Sequence, residues 1–281
     1  MDVIDIIAQC AKIPSYSTEE QRIHPFIEEF VKTNNIGTIE HVHKNNLIIT
    51  VPSPSQKPDT PPSPVIALTA HLDKIDHFND PTLDSLPMEV DEKKITGQLD
   101  DAAGVGICLF LAHLSKTENF PPLLLLFSEM EEHGSFVNPE EGIVSGLGGL
   151  RIAKHLIADG RIPRVILTVD TTPFYRGNPG VSLYSRFWEI AGYNPAPALV
   201  EETEKLEQYF LTQFPVIQHR NNTNDYITYG TVFNTQTPVT VPSIALEPAI
   251  YPCHQKGEEI FLTDIHKIIT ILTTFLVQFP L

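Results

Sequence analysis

Short aliphatic runs separated by stretches with helical spacing constrain this chain more than any other feature. Residues 65–70 (VIALTA), 123–127 (LLLLF) and 165–170 (VILTVD) are apolar at nearly every position. A strand apolar on both faces must be covered on both, and such strands sit in parallel sheets flanked by helices. Between them, residues 101–116 and about 148–158 read as helices. Further strands are expected near 181–190 and 243–247, a helix near 200–213, and a closing amphipathic helix over 264–278. At the N-terminus, residues 3–12 and 18–33 read as two helices separated by Pro14. Ser17 or Thr18 followed by Glu20 or Gln21 has the form of a capping box for the second. Asn46–Val51 reads as a strand, and residues 52–64, with six prolines, as an exposed loop or flap. The expected fold class is α/β, with a mostly parallel or mixed central sheet and helices on both faces. Residues 1–281 are read as one domain.

Charge and cysteine usage narrow the partners. Acidic residues outnumber basic ones by 35 to 19, a net charge of -16, so nucleic acid is a poor partner without a local basic patch. The three cysteines, Cys10, Cys108 and Cys253, lie far apart, which argues against a disulfide framework and against a thiolate zinc site. The first residues carry acids where a signal peptide needs a basic region, and no apolar run approaches ~20 residues. The expectation is a cytoplasmic protein with no membrane partner.

The acids and histidines with chemical promise fall at or just beyond strand ends. They are His71-Leu-Asp73, Asp100-Asp101 ahead of a helix, Glu131-Glu132, Asp170, and His254 past a late strand. Open α/β sheets bind ligands outside the carboxyl ends of their strands, so these positions can converge. Two histidines with three or four carboxylates suit a pair of divalent ions, zinc first, cobalt or manganese as alternatives. A two-metal site of this kind activates water and polarises a carbonyl, which is hydrolytic chemistry. Each motif alone has a bland reading. His71 and Asp73 would be a surface or core pair, Asp170 a turn cap, and His254 a packing partner of Cys253. Glu140-Glu141-Gly142 rivals Glu131-Glu132, which is preferred because it follows its strand directly. His77, His133 and His219 are pocket candidates whose default is an exposed loop. Gly104 and Gly106 read as close packing, and GLGGL at 146–150 lacks the strand-to-helix fingerprint of a nucleotide loop.

Taken in order, AHLD (70–73), GQLDDAAG (97–104), FSEMEEHG (127–134), TVD (168–170) and CHQKGEE (253–259) resemble the co-catalytic two-zinc aminopeptidases of the zinc exopeptidase superfamily. The bacterial leucyl and the glutamyl or tetrahedral aminopeptidases are the nearest types. The resemblance implies that His71, Asp100, Glu132, Asp170 and His254 are metal ligands, Asp100 bridging two ions. It implies that the Asp100–Asp101 peptide bond is cis, that Asp73 orients the other ring nitrogen of His71, and that Glu131 is the general base. A short peptide with a free amine is then the substrate. A deacylase of N-acyl amino acids and a non-catalytic scaffold of the same fold are the alternatives. Thr223-Asn-Asp225 resembles a turn that lies near the site in related enzymes. Only 28 residues separate His71 from Asp100 and 83 separate Asp170 from His254, too few for the inserted domains of the larger relatives. A monomer or homodimer is therefore expected. The longer stretch 133–149 is expected to form a lid or pocket wall.

Overall fold

The computed structural model describes residues 1–54, 65–80, 82–132, 146–220 and 223–278. The first half runs α1 Val3–Lys12, α2 His24–Asn34, β1 Thr38–Val42, β2 Asn46–Val51, β3 Ile66–His71, β4 Glu89–Val90, β5 Lys94–Gly97, α3 Ala102–Leu114 and β6 Leu123–Ser128. The second half runs α4 Leu147–Ala158, β7 Val165–Val169, β8 Val181–Tyr184, α5 Phe187–Ala191, α6 Pro197–Gln213, β9 Ile217–Gln218, α7 Asp225–Gln236, β10 Ser243–Pro248, β11 Ile250–Tyr251, β12 Glu258–Phe261 and α8 Leu262–Gln278.

Eight strands form the main sheet in the order β1-β2-β6-β3-β7-β10-β8-β9. Its centre, β6-β3-β7-β10, is parallel, and antiparallel β2 and β8 flank it. Every residue of β3, β6, β7 and β10 is buried, as an apolar run on both faces requires. Alternate residues serve opposite layers. Leu123, Leu125 and Phe127 pack with α1, α3 and α8, while Leu124 and Leu126 pack with α4 and α7. A smaller antiparallel sheet, β11-β12-β5-β4, adjoins the main one.

The two helical glycines are contact points. A Cβ at Gly104 would lie 2.3 Å from the Val169 carbonyl oxygen on β7, and one at Gly106 would lie 2.5 Å from the Ile7 side chain on α1. Gly104 lets α3 approach the sheet, as expected of both glycines from the sequence, whereas Gly106 packs helix against helix.

Several sequence expectations need correction. The helix expected over 18–33 begins at His24, after a single 3-10 turn at Glu20–Arg22. Pro25 sets the start of α2, and Glu20 turns inward instead of capping it: its carboxylate accepts from the Thr18 and Met130 amides and from Asn45. The strand expected over 181–190 stops at Tyr184, because Phe187 and Trp188 turn into the short helix α5 and bury beside Tyr184 and Tyr226. Helix α7 was read only as a turn at its start. Its β-branched and aromatic residues have weak helix propensity, and burial of Tyr226, Tyr229 and Phe233 overrides it. The second sheet escaped notice because its strands are two to four residues long. In the proline-rich loop Pro52 and Pro54 are exposed, and residues 55–64 lie outside the described residues.

Candidate metal centre

The parallel strands deliver their acids to one edge. β3 ends on His71 with Asp73 two residues on, β6 leads into Glu131 and Glu132, and β7 is followed by Asp170. Asp100 arrives at the N-terminus of α3, and His254 arrives on the turn between β11 and β12. The Asp100–Asp101 peptide bond is cis, as the resemblance implies.

All seven residues singled out from the sequence come together here. Asp100 stands between the two histidines: its Oδ1 is 3.2 Å from His71 Nε2 and its Oδ2 is 3.3 Å from His254 Nε2. A second carboxylate approaches the same nitrogen of each histidine, with Asp170 Oδ1 3.8 Å from His71 Nε2 and Glu132 Oε1 3.3 Å from His254 Nε2. Donors around a tetrahedral ion with bonds of ~2.0–2.1 Å lie roughly 3.3 Å apart, so several of these donor atoms are spaced as metal binding requires. His71, Asp100 and Asp170 form one compact group of donor atoms, Asp100, Cys253 and His254 another, and His71, Glu131 and Glu132 a third. The Cys253 thiol is among these donors, although the spacing of the cysteines argues against a thiolate zinc site.

Electrostatics follow from crowding acids into a buried place. Burial, then the charge of Asp100, pushes Asp170 up to about 8. Burial likewise raises Glu131 well above the carboxylate range, with Asp170 and Glu132 adding to it against His71. Burial raises Glu132 too. Asp100 is the exception, because hydrogen bonds with His254 and His71 overcome the cost of burial and hold it low. The same bonds raise both histidines. A cluster of this kind favours positive charge, which two divalent ions would supply.

Two further buried carboxylates hold the loops in place. Asp73 Oδ1 lies 3.3 Å from His71 Nδ1, and the Asp73 carboxylate also accepts from the Glu131 and Glu132 amides, both at 3.0 Å. Asp73 thus fixes the ring of His71, whose Nδ1 also lies 3.0 Å from the Asp73 carbonyl oxygen, and its side chain holds the backbone of the Glu131-Glu132 pair. Glu258 repeats the device across the site: it accepts from the Leu99 amide at 2.7 Å, the Asp100 amide at 3.2 Å and the His254 amide at 3.0 Å. Sequence reasoning missed Glu258, although it is the first of the two glutamates in the CHQKGEE motif. It also missed Asn46, whose Oδ1 accepts from Glu129 at 2.9 Å.

The remaining candidates divide. Thr223 and Asn224 line the metal cavity, of about 150 Å³, together with Glu131 and His254. Asp225 lies beneath it, hydrogen-bonded to Ser128, and burial pushes its carboxyl up to about 6. His219 stacks on Phe174 at 4.7 Å, away from the ligands. His77 is absent from the walls of the cavity. His133, Glu140-Glu141-Gly142 and most of the expected lid, residues 133–145, lie outside the described residues; Gly146 and Gly148 open α4, where Gly148 packs against the Glu129 backbone.

No family model matches the chain, and no curated protein matches it significantly in sequence. Solved structures do share its fold. An aminopeptidase of the TET type from a marine-sediment Thaumarchaeota archaeon superposes with a TM-score of 0.70 at 11% identity, covering 99% of this chain and 98% of that one. The TET1 peptidase of Pyrococcus horikoshii, which can assemble into a tetrahedron or a large octahedral shell, superposes at 0.65 with 14% identity, over 99% of this chain and 100% of that one. Aminopeptidase PepT from Bacillus cereus superposes at 0.63 with 11% identity, over 98% and 97%. The fold is therefore the one found in solved aminopeptidases.

Proposed function

We propose that the protein is a two-metal aminopeptidase, its residues 1–281 forming one catalytic unit. The observation that carries this reading is Asp100, which offers one carboxylate oxygen to each of two histidines. His71 and Asp170 would hold one ion with Asp100, and Glu132 and His254 the other. Zinc suits these donors best, and cobalt or manganese would be accepted. Bound there, the ions would make a water acidic enough to attack at neutral pH and would polarise the scissile carbonyl.

The chain's own residues supply the rest. Glu131 accepts the proton of the attacking water and returns it to the leaving amine, and cations on the neighbouring acids would offset the repulsion from Asp170 and Glu132 and favour its ionised, basic form. Asp73 keeps the His71 ring turned so that Nε2 faces Asp100, and holds the backbone that carries Glu131. The substrate is a short peptide with a free N-terminus. Among the described residues only the β4–β5 hairpin lies between β3 and Asp100, which supports a monomer or homodimer, although the Pyrococcus horikoshii TET1 peptidase of the same fold can assemble into shells. Among the described residues no helix is long and apolar enough to cross a membrane, and the three cysteines are free, which supports a cytoplasmic location.

The test is a dipeptide panel offered with free and with acetylated N-termini to zinc-loaded protein, with and without chelator. Chelator-sensitive cleavage of free amines alone is expected. Cleavage of acetylated substrates alone would make the protein a deacylase, and two bound ions without cleavage of either would make it a scaffold.

A further inference from the structure

Beside the metal cavity lies a second one of about 290 Å³ that shares Glu131, Thr223 and Asn224 with it. Asn224, Ile227, Thr228 and Thr231 recur at helical spacing, so one face of α7 forms its floor, with Val232 at its edge. Ile190 and Ala191, at the end of α5, form the facing wall. Among the described residues no lysine, arginine or histidine lines it, and Glu131 is the one ionisable group. An acidic side chain would enter without a counter-charge and would meet Glu131. A basic one would compete for the carboxylate that takes the proton of water. The volume corresponds to about ten waters, enough for a branched aliphatic or phenyl side chain.

We propose that this cavity receives the side chain of the substrate's N-terminal residue and selects a large apolar one. The inference rests on the aminopeptidase reading and adds its specificity. Glu131 sits at the junction of the two cavities, so a residue whose carbonyl faces the metal ligands has its side chain directed between α5 and α7.

The experiment measures kcat/KM of the zinc-loaded protein on the amides of glycine, alanine, leucine, phenylalanine, glutamate and lysine. Leucine and phenylalanine should exceed alanine, glutamate and lysine by at least about tenfold. Ile227→Phe narrows the cavity, and Ala191→Trp narrows it from an exposed position where folding is not at risk. Each should lower the leucine-to-alanine ratio at least about fivefold. Calorimetric titration with leucinol and glycinol reads the cavity without turnover, and leucinol should bind more tightly. A preference for glutamate or lysine, or a ratio unchanged in both variants, overturns the cavity's role and leaves the aminopeptidase reading standing. No hydrolysis of any amide, with leucinol still preferred and the preference lost in Ala191→Trp, overturns that reading and keeps the cavity. No hydrolysis and no preference for leucinol overturns both.

Discussion

Glu131 and Glu132 adjoin in sequence, and Asp73 accepts from both amides, yet Glu132 lies against His254 while Glu131 lines both cavities. Replacing Glu131 by Gln keeps the shape and removes the base. Turnover should fall roughly a hundredfold or more while two zinc ions still bind, as measured by steady-state kinetics and by metal analysis of the dialysed variant. Retention of more than about a tenth of the activity would show that another group takes the proton. At this scale the seven principal residues were legible, since acids and histidines at the ends of apolar runs stand out against their surroundings. The supporting residues were not. Glu258 meets the Asp100 amide from 158 positions away, and no spacing in a sequence announces such a contact.

Elements act here as holders of loops. Because Glu258 accepts three amides from the loops bearing Asp100 and His254, Glu258→Ala leaves two buried donors, those of Leu99 and Asp100, and the half-buried one of His254 without this acceptor. Each such donor costs about 1–3 kcal/mol in a dry site, and partial relaxation should leave a total of about 2–5 kcal/mol, read by urea unfolding. Zinc affinity should weaken roughly 10- to 100-fold, measured by competition with a chromophoric chelator. An unchanged affinity would show that the ligand loops hold themselves. Gly104→Ala forces α3 away from β7 and should destabilise by about 1–3 kcal/mol, checked by the same unfolding curve. The strands of the parallel centre were readable from composition alone, being buried throughout. Helix α7 was not, because its identity comes from what Tyr226, Tyr229 and Phe233 pack against; their spacing of three and four was the available signal.

For the whole molecule, the concentration of acid at one sheet edge links stability to pH and to metal. Asp170 and Glu258 have folded pKa values of about 8, above those of an unfolded chain, so each adds stability that is complete in acid and is lost as pH rises through 8. The raised His71 and His254 act in the same direction. Metal-free protein should therefore lose about 1 kcal/mol per group between pH 7 and 8, seen as a falling melting temperature. Asp170→Asn should flatten that slope; an equal slope in the variant would exclude Asp170 as its source. Lys74, lowered to about 8 by burial, opposes the trend only above that pH. Zinc at about 100 times its Kd should add about 2.7 kcal/mol, roughly 5–10 °C in melting temperature, and chelator should reverse it.

By itself the sequence determined that the chain forms a sheet covered on both faces, with acids and histidines at the ends of its strands. Both follow from which residues stand next to which, and periodicity and local composition carry that information along the chain. Only the tertiary structure decided that Asp100 stands between the two histidines, that Asp73 and Glu258 clamp the loops around them, and that α5 and α7 leave an apolar cavity beside Glu131. Those arrangements join residues far apart in sequence, and their distances are set by how the layers pack.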